Sequence, residues 1–205
     1  MSKENEEENQ EDGVKIILIG ESGVGKTNLI NIVIGENFSE NEKSTTASTL
    51  SLKKIKLNNK EYNLDLWDTI GQEQYRQLTK IFFNNAKIVI FVYDITSKES
   101  FEALPGWKKD VEEQLGNDCI KGVVANKSDL YLEEEVKLEQ GEEYAKNNEA
   151  KFLLISAKKD DPKKFEEYLR ELLEEYLSTK KGEKKGRFSI TRKSVIKPKK
   201  SNCCK

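Results

Sequence analysis

The sequence predicts an α/β fold: a six-stranded, mostly parallel sheet with one antiparallel edge strand and helices on both faces. Three observations carry this. Short β-branched apolar runs alternate with amphipathic stretches of helical period. One pair of strand-like runs is separated only by an Asn-Asn-Lys turn, the mark of a hairpin. Polar residues suited to chemistry fall directly after the apolar runs, and open α/β sheets bind ligands outside the carboxyl ends of their strands.

VKIILIG (14–20) is a short β-branched strand, followed by a helix from about Lys26 to Ile34. Residues 36–48, ENFSENEKSTTAS, are polar and loop-like. TLSLKKIKL and EYNLDLW form the hairpin; Tyr62, Leu64 and Leu66 alternate, whereas the first strand shifts phase at Lys53-Lys54, as at a bulge or an edge. Then come KIVIFVYD (87–94), a helix near 99–115, CIKGVVAN (119–126), a helix near 137–149 and KFLLIS (151–156). The last helix opens at Asp161-Pro162, with acid and proline in its first turn, and Phe165, Tyr168, Leu169, Leu172 and Leu173 repeat at core-packing spacing. The order βαββαβαβαβα gives the sheet described above.

With 205 residues, 36% of them hydrophobic, the chain suits one compact domain with modest additions. No run approaches the roughly 20 apolar residues of a membrane span. The acidic MSKENEEENQEDG is neither a secretory signal nor a transit peptide, so cytosolic synthesis is expected. Residues 1–13 carry a net −5 and residues 180–205 a net +10, which leaves −7 for the body within a total of −2. The expected divisions are thus an acidic extension (1–13), a folded domain (14–179) and a basic, flexible tail (180–205). Such a tail is either a solvated run or a surface for anionic membrane or nucleic acid. No aromatic residues are interleaved at base-stacking spacing, so nucleic acid is not expected.

The chain has no histidine, which excludes Ser-His-Asp chemistry, His-assisted cysteine nucleophiles and most zinc sites. Catalysis must work through positioning, carboxylates, amides, lysine or a metal held by oxygens. Cys119 sits in an apolar run and reads as a core thiol, while Cys203 and Cys204 are adjacent and poorly placed for a disulfide framework.

GESGVGKT (20–27) fits G-x-x-x-x-G-K-[ST] between the first strand and the first helix. Its glycines let backbone amides face a phosphate, and the helix N-terminus adds positive potential. Lys26 would reach the β- and γ-phosphates, and Thr27 would ligate Mg²⁺. The pattern selects a nucleoside triphosphate without choosing the base. ANKSD (125–129) chooses it: Asp129 can accept two parallel hydrogen bonds from guanine's ring N–H and exocyclic amine. Adenine would face that carboxylate with a lone pair, at about 1–3 kcal/mol per unmet group. Asn126 can tie this loop to the base and the phosphate loop, the stem of Lys127 can lie over the ring, and in SAK (156–158) an amide near Ala157 can donate to the guanine carbonyl. In LWDTIGQEQYRQ (66–77), Asp68 can hold Mg²⁺ through water, Gly71 lets its amide approach the γ-phosphate, and Gln72 can orient the attacking water. Thr45, in the polar loop, is a second hydroxyl for the metal.

GESGVGKT, STTAS, WDTIGQE, ANKSD and SAK, in this order and spacing, resemble the Ras superfamily of small GTPases; FVYDITSKESF and the terminal Cys-Cys resemble its Rab group. The likeness covers about residues 13–178 and the last few. It implies a P-loop small G domain that cycles between GTP and GDP, with Gln72, Lys26 and Thr45 in catalysis and Thr27, Thr45 and Asp68 at Mg²⁺. It implies nucleotide contacts from Ser22, Gly23, Val24, Gly25, Lys26, Thr27, Asn28, Phe38, Thr45, Gly71, Asn126, Lys127, Asp129, Ser156, Ala157 and Lys158, with Phe38 packing on the guanine. Two loops, about 38–47 and 69–80, would order around the triphosphate and be released by hydrolysis. Leu50, Trp67 and Phe82 match the apolar positions that Rab proteins present to effectors, with core packing as the alternative. The implied partners are an exchange factor, a GTPase-activating protein, effectors, and a prenylation escort and dissociation inhibitor. The implied place is the cytoplasmic face of an intracellular membrane, in vesicle trafficking.

The chain departs from that pattern. Ile70 stands where the family has alanine, and its bulk is expected to alter the second loop and slow hydrolysis or exchange. Ala47 stands where Rab proteins have glycine, within Thr46-Ala47-Ser48-Thr49-Leu50, where the group usually carries apolar residues and an aspartate. These changes keep open a GTP-binding scaffold with little hydrolysis. A Ras- or Rho-like signalling role is disfavoured by the double cysteine and by the lack of an insertion after NKSD. In the tail, Asn202 stands where a four-residue prenylation box needs its cysteine, so Cys203 and Cys204 are expected to carry two prenyl chains, enough for stable anchoring. Basic residues close to an anionic leaflet would add roughly 1 kcal/mol each.

Overall fold

A computed structural model describes residues 13–40, 45, 47–71, 80–116 and 118–187, with side chains as far as 180. The predicted strands form as β1 (Val14–Ile19), β2 (Thr49–Leu57), β3 (Lys60–Asp68), β4 (Ile88–Asp94), β5 (Ile120–Asn126) and β6 (Ala150–Leu154). The helices are α1 (Lys26–Ile34), α2 (Lys98–Glu102), α3 (Leu104–Leu115), α4 (Leu138–Asn147) and α5 (Pro162–Arg187). The sheet order is β2-β3-β1-β4-β5-β6, with β2 antiparallel to β3 and every other pair parallel. The helix expected between β3 and β4 lies outside the described residues, which resume in a 3₁₀ turn, Lys80–Phe83.

Strand β1 reads as an unbroken apolar run because both of its faces are covered. Ile16 and Leu18 pack with Leu29, Ile30 and Val33 of α1 and with Phe165, Leu169 and Leu172 of α5. Ile17 and Ile19 face the other way, toward Phe83 and toward Leu104, Trp107 and Val111 of α3. β1 also marks the point where the sheet order reverses, since β3 lies on one side of it and β4 on the other. The segments leaving β1 and β4 diverge there and open a crevice at the strands' carboxyl ends.

Three elements sharpen or change the expectation. The phase shift in β2 goes with an edge and not with a bulge: β2 ends the sheet order, and its pairing with β3 runs in continuous register from Thr49↔Asp68 to Leu57↔Lys60. Ile55 and Leu57 face the core, whereas Leu50 and Leu52 fall on the opposite face, 47% and 70% exposed. The hairpin closes through Asn58 and Asn59, both at positive φ (49° and 63°), the two-residue turn that matches strand twist. The single helix expected over 99–115 is two, broken at Ala103 just before Leu104-Pro105; proline lacks an N–H and starts a helix better than it continues one. Finally, α5 runs as helix to Arg187, past the expected start of the tail at 180, through Lys-, Glu- and Arg-rich sequence of good helix propensity. Asp161 caps its start, accepting from the Lys163 N–H at 2.9 Å.

Helix α5 locks onto the sheet through Tyr168, 4% exposed. Its hydroxyl donates to the Lys151 carbonyl at 2.9 Å, with the Val123 carbonyl at 3.3 Å, so one phenol spans β5 and β6. Burial pushes this phenol far above its ordinary pKa. A Cβ at Gly122 would collide with that hydroxyl and lie 3.2 Å from the ring carbon bearing it. Gly122→Ala should therefore cost about 1–3 kcal/mol by overpacking and lower Tm by several degrees. Thermal unfolding followed by circular dichroism checks this; an unchanged Tm would mean that Tyr168 steps aside freely.

Candidate functional site

The crevice at the carboxyl ends of the strands holds a cavity of about 410 Å³. Its wall brings together Ser22, Gly23, Gly25, Lys26, Thr27 and Asn28 after β1, Phe38 and Thr45 after α1, and Gly71 after β3. Asn126, Lys127 and Asp129 join after β5, and Ala157 and Lys158 after β6. Val24 and Ser156 are buried behind this wall. Gln72, Cys203 and Cys204 lie outside the described residues, as do residues 1–12 and Thr46.

The phosphate end is shaped by the turn from β1 into α1. Gly25 sits at φ 95° as the N-cap of α1 and offers no side-chain cap, which leaves first-turn N–H groups facing the cavity. A Cβ here would strike the Asn126 amide, so left-handed backbone and close approach both require glycine. Lys26, 5% exposed, folds its ammonium back onto the Gly20 and Glu21 carbonyls, each at 2.8 Å. Burial pulls its pKa down to about 8, while the charges of Asp68 and Glu21 oppose that fall. Gly71 comes so close that a Cβ on it would overlap the ammonium and stand 2.6 Å from the Glu21 carbonyl oxygen.

Next to Lys26, three oxygens meet from three segments. The Thr27 hydroxyl donates to Asp68 Oδ2 at 2.7 Å and lies 3.0 Å from the Thr45 hydroxyl; Thr45 Oγ1 is itself 3.3 Å from Asp68 Oδ2. Asp68 is 3% exposed. Thr69 anchors the end of β3 by donating to the Leu18 carbonyl at 2.6 Å. Ile70 is buried, and the cavity wall at this point is formed by Gly71. Ala47 is exposed.

At the far end, Asn126 is 1% exposed and bridges two loops: its Nδ2 donates to the Val24 carbonyl at 2.8 Å, and its Oδ1 accepts from the Ala157 N–H at 3.1 Å. Ser156 donates its hydroxyl to Asp129 Oδ1 at 2.5 Å and accepts from the Lys158 and Lys159 N–H groups. It thereby aims the Asp129 carboxylate without lining the cavity. Lys127, at φ 64°, runs its ammonium to Asp94 Oδ2 at 2.6 Å, which fixes the stem along the wall. Asn28 clamps the chain beyond Phe38 by exchanging two hydrogen bonds with the Ser39 backbone, at 2.9 and 3.0 Å. Glu40 pairs with Lys158 at 2.5 Å across the cavity mouth; their hydrogen bond, and then their opposite charges, hold the carboxyl below and the ammonium above its ordinary pKa.

Several of these partners were not legible as site residues. Asp94 ends a strand, as Asp68 and Asn126 do, so the strand-end rule would have found it. Ser39, Glu40 and Glu21 carry no local signal. The expected effector trio does assemble: Leu50 pairs directly with Trp67 across β2 and β3, and the Trp67 and Phe82 rings lie 5.5 Å apart at 38°. Lys15 places its ammonium 4.7 Å from the centre of the Trp67 ring. Core packing accounts for part of Trp67, and both Trp67 and Phe82 are half-buried, whereas Leu50 is exposed.

Comparison with known proteins agrees with this geometry. The Ras family model matches residues 15–178. Human Ras-related protein Rab-30 is 36% identical over 147 residues, covering 72% of each chain. Ras-related protein Rab-11C of Dictyostelium discoideum is 38% identical over 152 residues, 74% of this chain and 68% of its own. Human Ras-related protein Rab-21 is 34% identical over 165 residues, 80% of this chain and 72% of its own. The strand-end constellation and these likenesses place the chain in the Ras family, as a Rab-like small GTPase that binds and hydrolyses GTP.

Proposed function

We propose that this chain is a guanine-nucleotide switch that recruits effectors to an intracellular membrane during vesicle transport. The observation that carries the reading is the meeting of Thr45 with Thr27 and Asp68. It ties the loop leading into β2 to the phosphate end of the cavity.

The donor set fits Mg²⁺: two hydroxyls and one carboxylate are hard oxygens, and this ion takes few protein ligands beside phosphate and water. Thr27 and Thr45 would hold it directly and Asp68 through water. When bound, the ion would supply positive charge that offsets the negative charge developing on the phosphates. Lys26 holds the β- and γ-phosphates from below, and the Gly71 amide approaches the γ-phosphate because no side chain intervenes. Gln72 orients the attacking water. Asp129, aimed by Ser156, accepts from the guanine ring N–H and amine, while Phe38 and the Lys127 stem flank the ring. Loss of the γ-phosphate removes what Thr45 and Gly71 contact, and their loops relax.

Because β2 begins only four residues after Thr45, the state of that loop bears on Leu50, Trp67 and Phe82, the proposed effector surface. Among the described residues no helix is long and apolar enough to cross a membrane. Attachment would come from prenyl chains on Cys203 and Cys204, aided by the basic tail. An exchange factor, an activating protein and a dissociation inhibitor would act on the cycle.

Single-turnover GTP hydrolysis with Mg²⁺, for wild type and Gln72→Leu, is the direct test. Wild type should turn over, and Gln72→Leu should fall at least roughly tenfold, as should wild type without Mg²⁺. Tight binding without turnover in wild type, even with an activating protein, would replace the switch with a scaffold. Asp129→Ala should weaken GTP binding roughly a hundredfold while leaving the weak ATP affinity unchanged, read by competition with a labelled nucleotide. For the pair across the cavity mouth, Glu40→Lys should speed GDP release roughly two- to fivefold, and adding Lys158→Glu should restore it. Release rates indifferent to the swap would mean the pair does not hold the mouth.

A further inference from the structure

Trp107, in the first turn of α3, is 0% exposed, and its indole N–H donates to the Glu21 carboxylate at 2.9 Å. Glu21 is the second residue of the phosphate loop. Its own carbonyl accepts from the Lys26 ammonium at 2.8 Å, and the same oxygen stands 2.6 Å from where a Cβ on Gly71 would lie. Glu21 therefore meets α3 through its side chain, and through its backbone it meets Lys26 and Gly71, the two groups proposed above to contact the γ-phosphate.

We propose that Trp107 is a positioning residue for GTP hydrolysis: by anchoring Glu21, it fixes the carbonyl that aims the Lys26 ammonium. The inference rests on the site gripping a nucleoside triphosphate. Its physical basis is conformational freedom. The Lys26 ammonium sits on a flexible four-carbon stem, and two carbonyls select its direction. One of those carbonyls belongs to Gly20, at φ 144°, and the peptide after it can rotate unless something holds it. The side chain of Glu21 is that hold, through a hydrogen bond to a charged acceptor, stronger than a neutral one. The same face of α3 makes a second contact one turn on. Asp110 pairs with Lys80 at 2.8 Å, and Lys80 opens the 3₁₀ turn after the WDTIGQE stretch. The helix thus braces the phosphate loop and the chain beyond Gly71 from one side.

The test is single-turnover hydrolysis in the full chain for Trp107→Phe, which keeps an aromatic ring but loses the pyrrole N–H, and for Glu21→Ala, Glu21→Gln and the Trp107→Phe/Glu21→Ala pair. Trp107→Phe and Glu21→Ala should each slow hydrolysis roughly three- to tenfold. The pair should lose no more than Glu21→Ala alone, and Glu21→Gln, which keeps an oxygen acceptor, should regain at least about half of the lost rate. Trp107→Phe within about twofold of wild type, or losses that multiply in the pair, would overturn the proposal, because a ring that only packs acts independently of Glu21. Wild type that neither binds nor hydrolyses GTP would overturn the nucleotide reading itself. A second readout is fluorescence: the chain has two tryptophans, so Trp67→Phe leaves Trp107 as the sole emitter. In that background Glu21→Ala should shift the emission to shorter wavelength, as the indole N–H loses its anionic partner. Unchanged emission would also sink the idea.

Discussion

The buried amide of Asn126 is the joint on which the site depends. One side chain at the end of β5 donates to the loop after β1 and accepts from the loop after β6. Those two contacts use its donor and its acceptor at once, so neither aspartate nor leucine can stand in. Aspartate would leave the Val24 carbonyl without this donor and bury a charge; leucine would strand both partners. The amide also explains why residue 25 has no side chain, since a Cβ there would occupy its space. With Gly25 fixed, α1 starts where it does, and Lys26 and Thr27 enter the cavity at its first turn. The phosphate end and the base end are therefore one object, set by a hydrogen-bonded amide in a dry place where such bonds are strong.

Much of this was legible in the sequence, for a physical reason. Strands covered on both faces must be apolar throughout, so β1, β4 and β5 stand out as runs and their ends fall within a residue or so of the structure. Once the ends are known, the residues just beyond them are known to share one side of the sheet, and Asp68, Asn126 and Ala157 follow. The rest depends on pairings that no local pattern encodes. Trp107 and Glu21 are 86 residues apart in sequence, and Glu40 and Lys158 are exposed charges like many others in this chain. Periodicity also misled at two points. Pro105 divides what periodicity reads as one helix, and helix-forming Lys and Glu carry α5 past the point where apolar spacing ends. In β2 the apolar residues change face at Lys53 while the backbone register does not change.

That change of face has a consequence for the edge of the sheet. An edge strand with outward apolar residues is a hazard, and proteins blunt such edges with charge. Here Lys54 and Lys56 do so over the half of β2 remote from the cavity, and Lys53 turns inward to pair with Glu166 of α5 at 2.8 Å. The half nearest Thr45 keeps Leu50 and Leu52 uncovered beside Trp67. The indole is held by its contacts with the Phe82 ring and the Lys15 ammonium, so the apolar surface is presented in a fixed shape. Retaining exposed leucines next to the nucleotide-contacting loop makes sense if a partner covers them in one state of that loop.

A chain without histidine must obtain catalysis from fixed charge and fixed geometry, and Lys26 shows how. Its ammonium is nearly out of water, and its contacts at 2.8 Å are neutral carbonyl oxygens. Burying a cation in that way carries a desolvation penalty, which is why its pKa falls toward 8 despite the nearby carboxylates. On the proposed reading a bound triphosphate would supply negative charge beside Lys26, so binding would offset a penalty already built into the fold and link affinity to stability. For the same reason, the direction of the ammonium matters more than its charge. A preorganised cation stabilises a transition state only where charge develops, and reorienting it during the reaction would forfeit the advantage. The carbonyls of Gly20 and Glu21 set that direction, and glycine cannot hold its own peptide still. The rigidity has to come from elsewhere in the fold: β5 holds the far end of the loop through Asn126, and α3 holds the end that carries these carbonyls through Trp107.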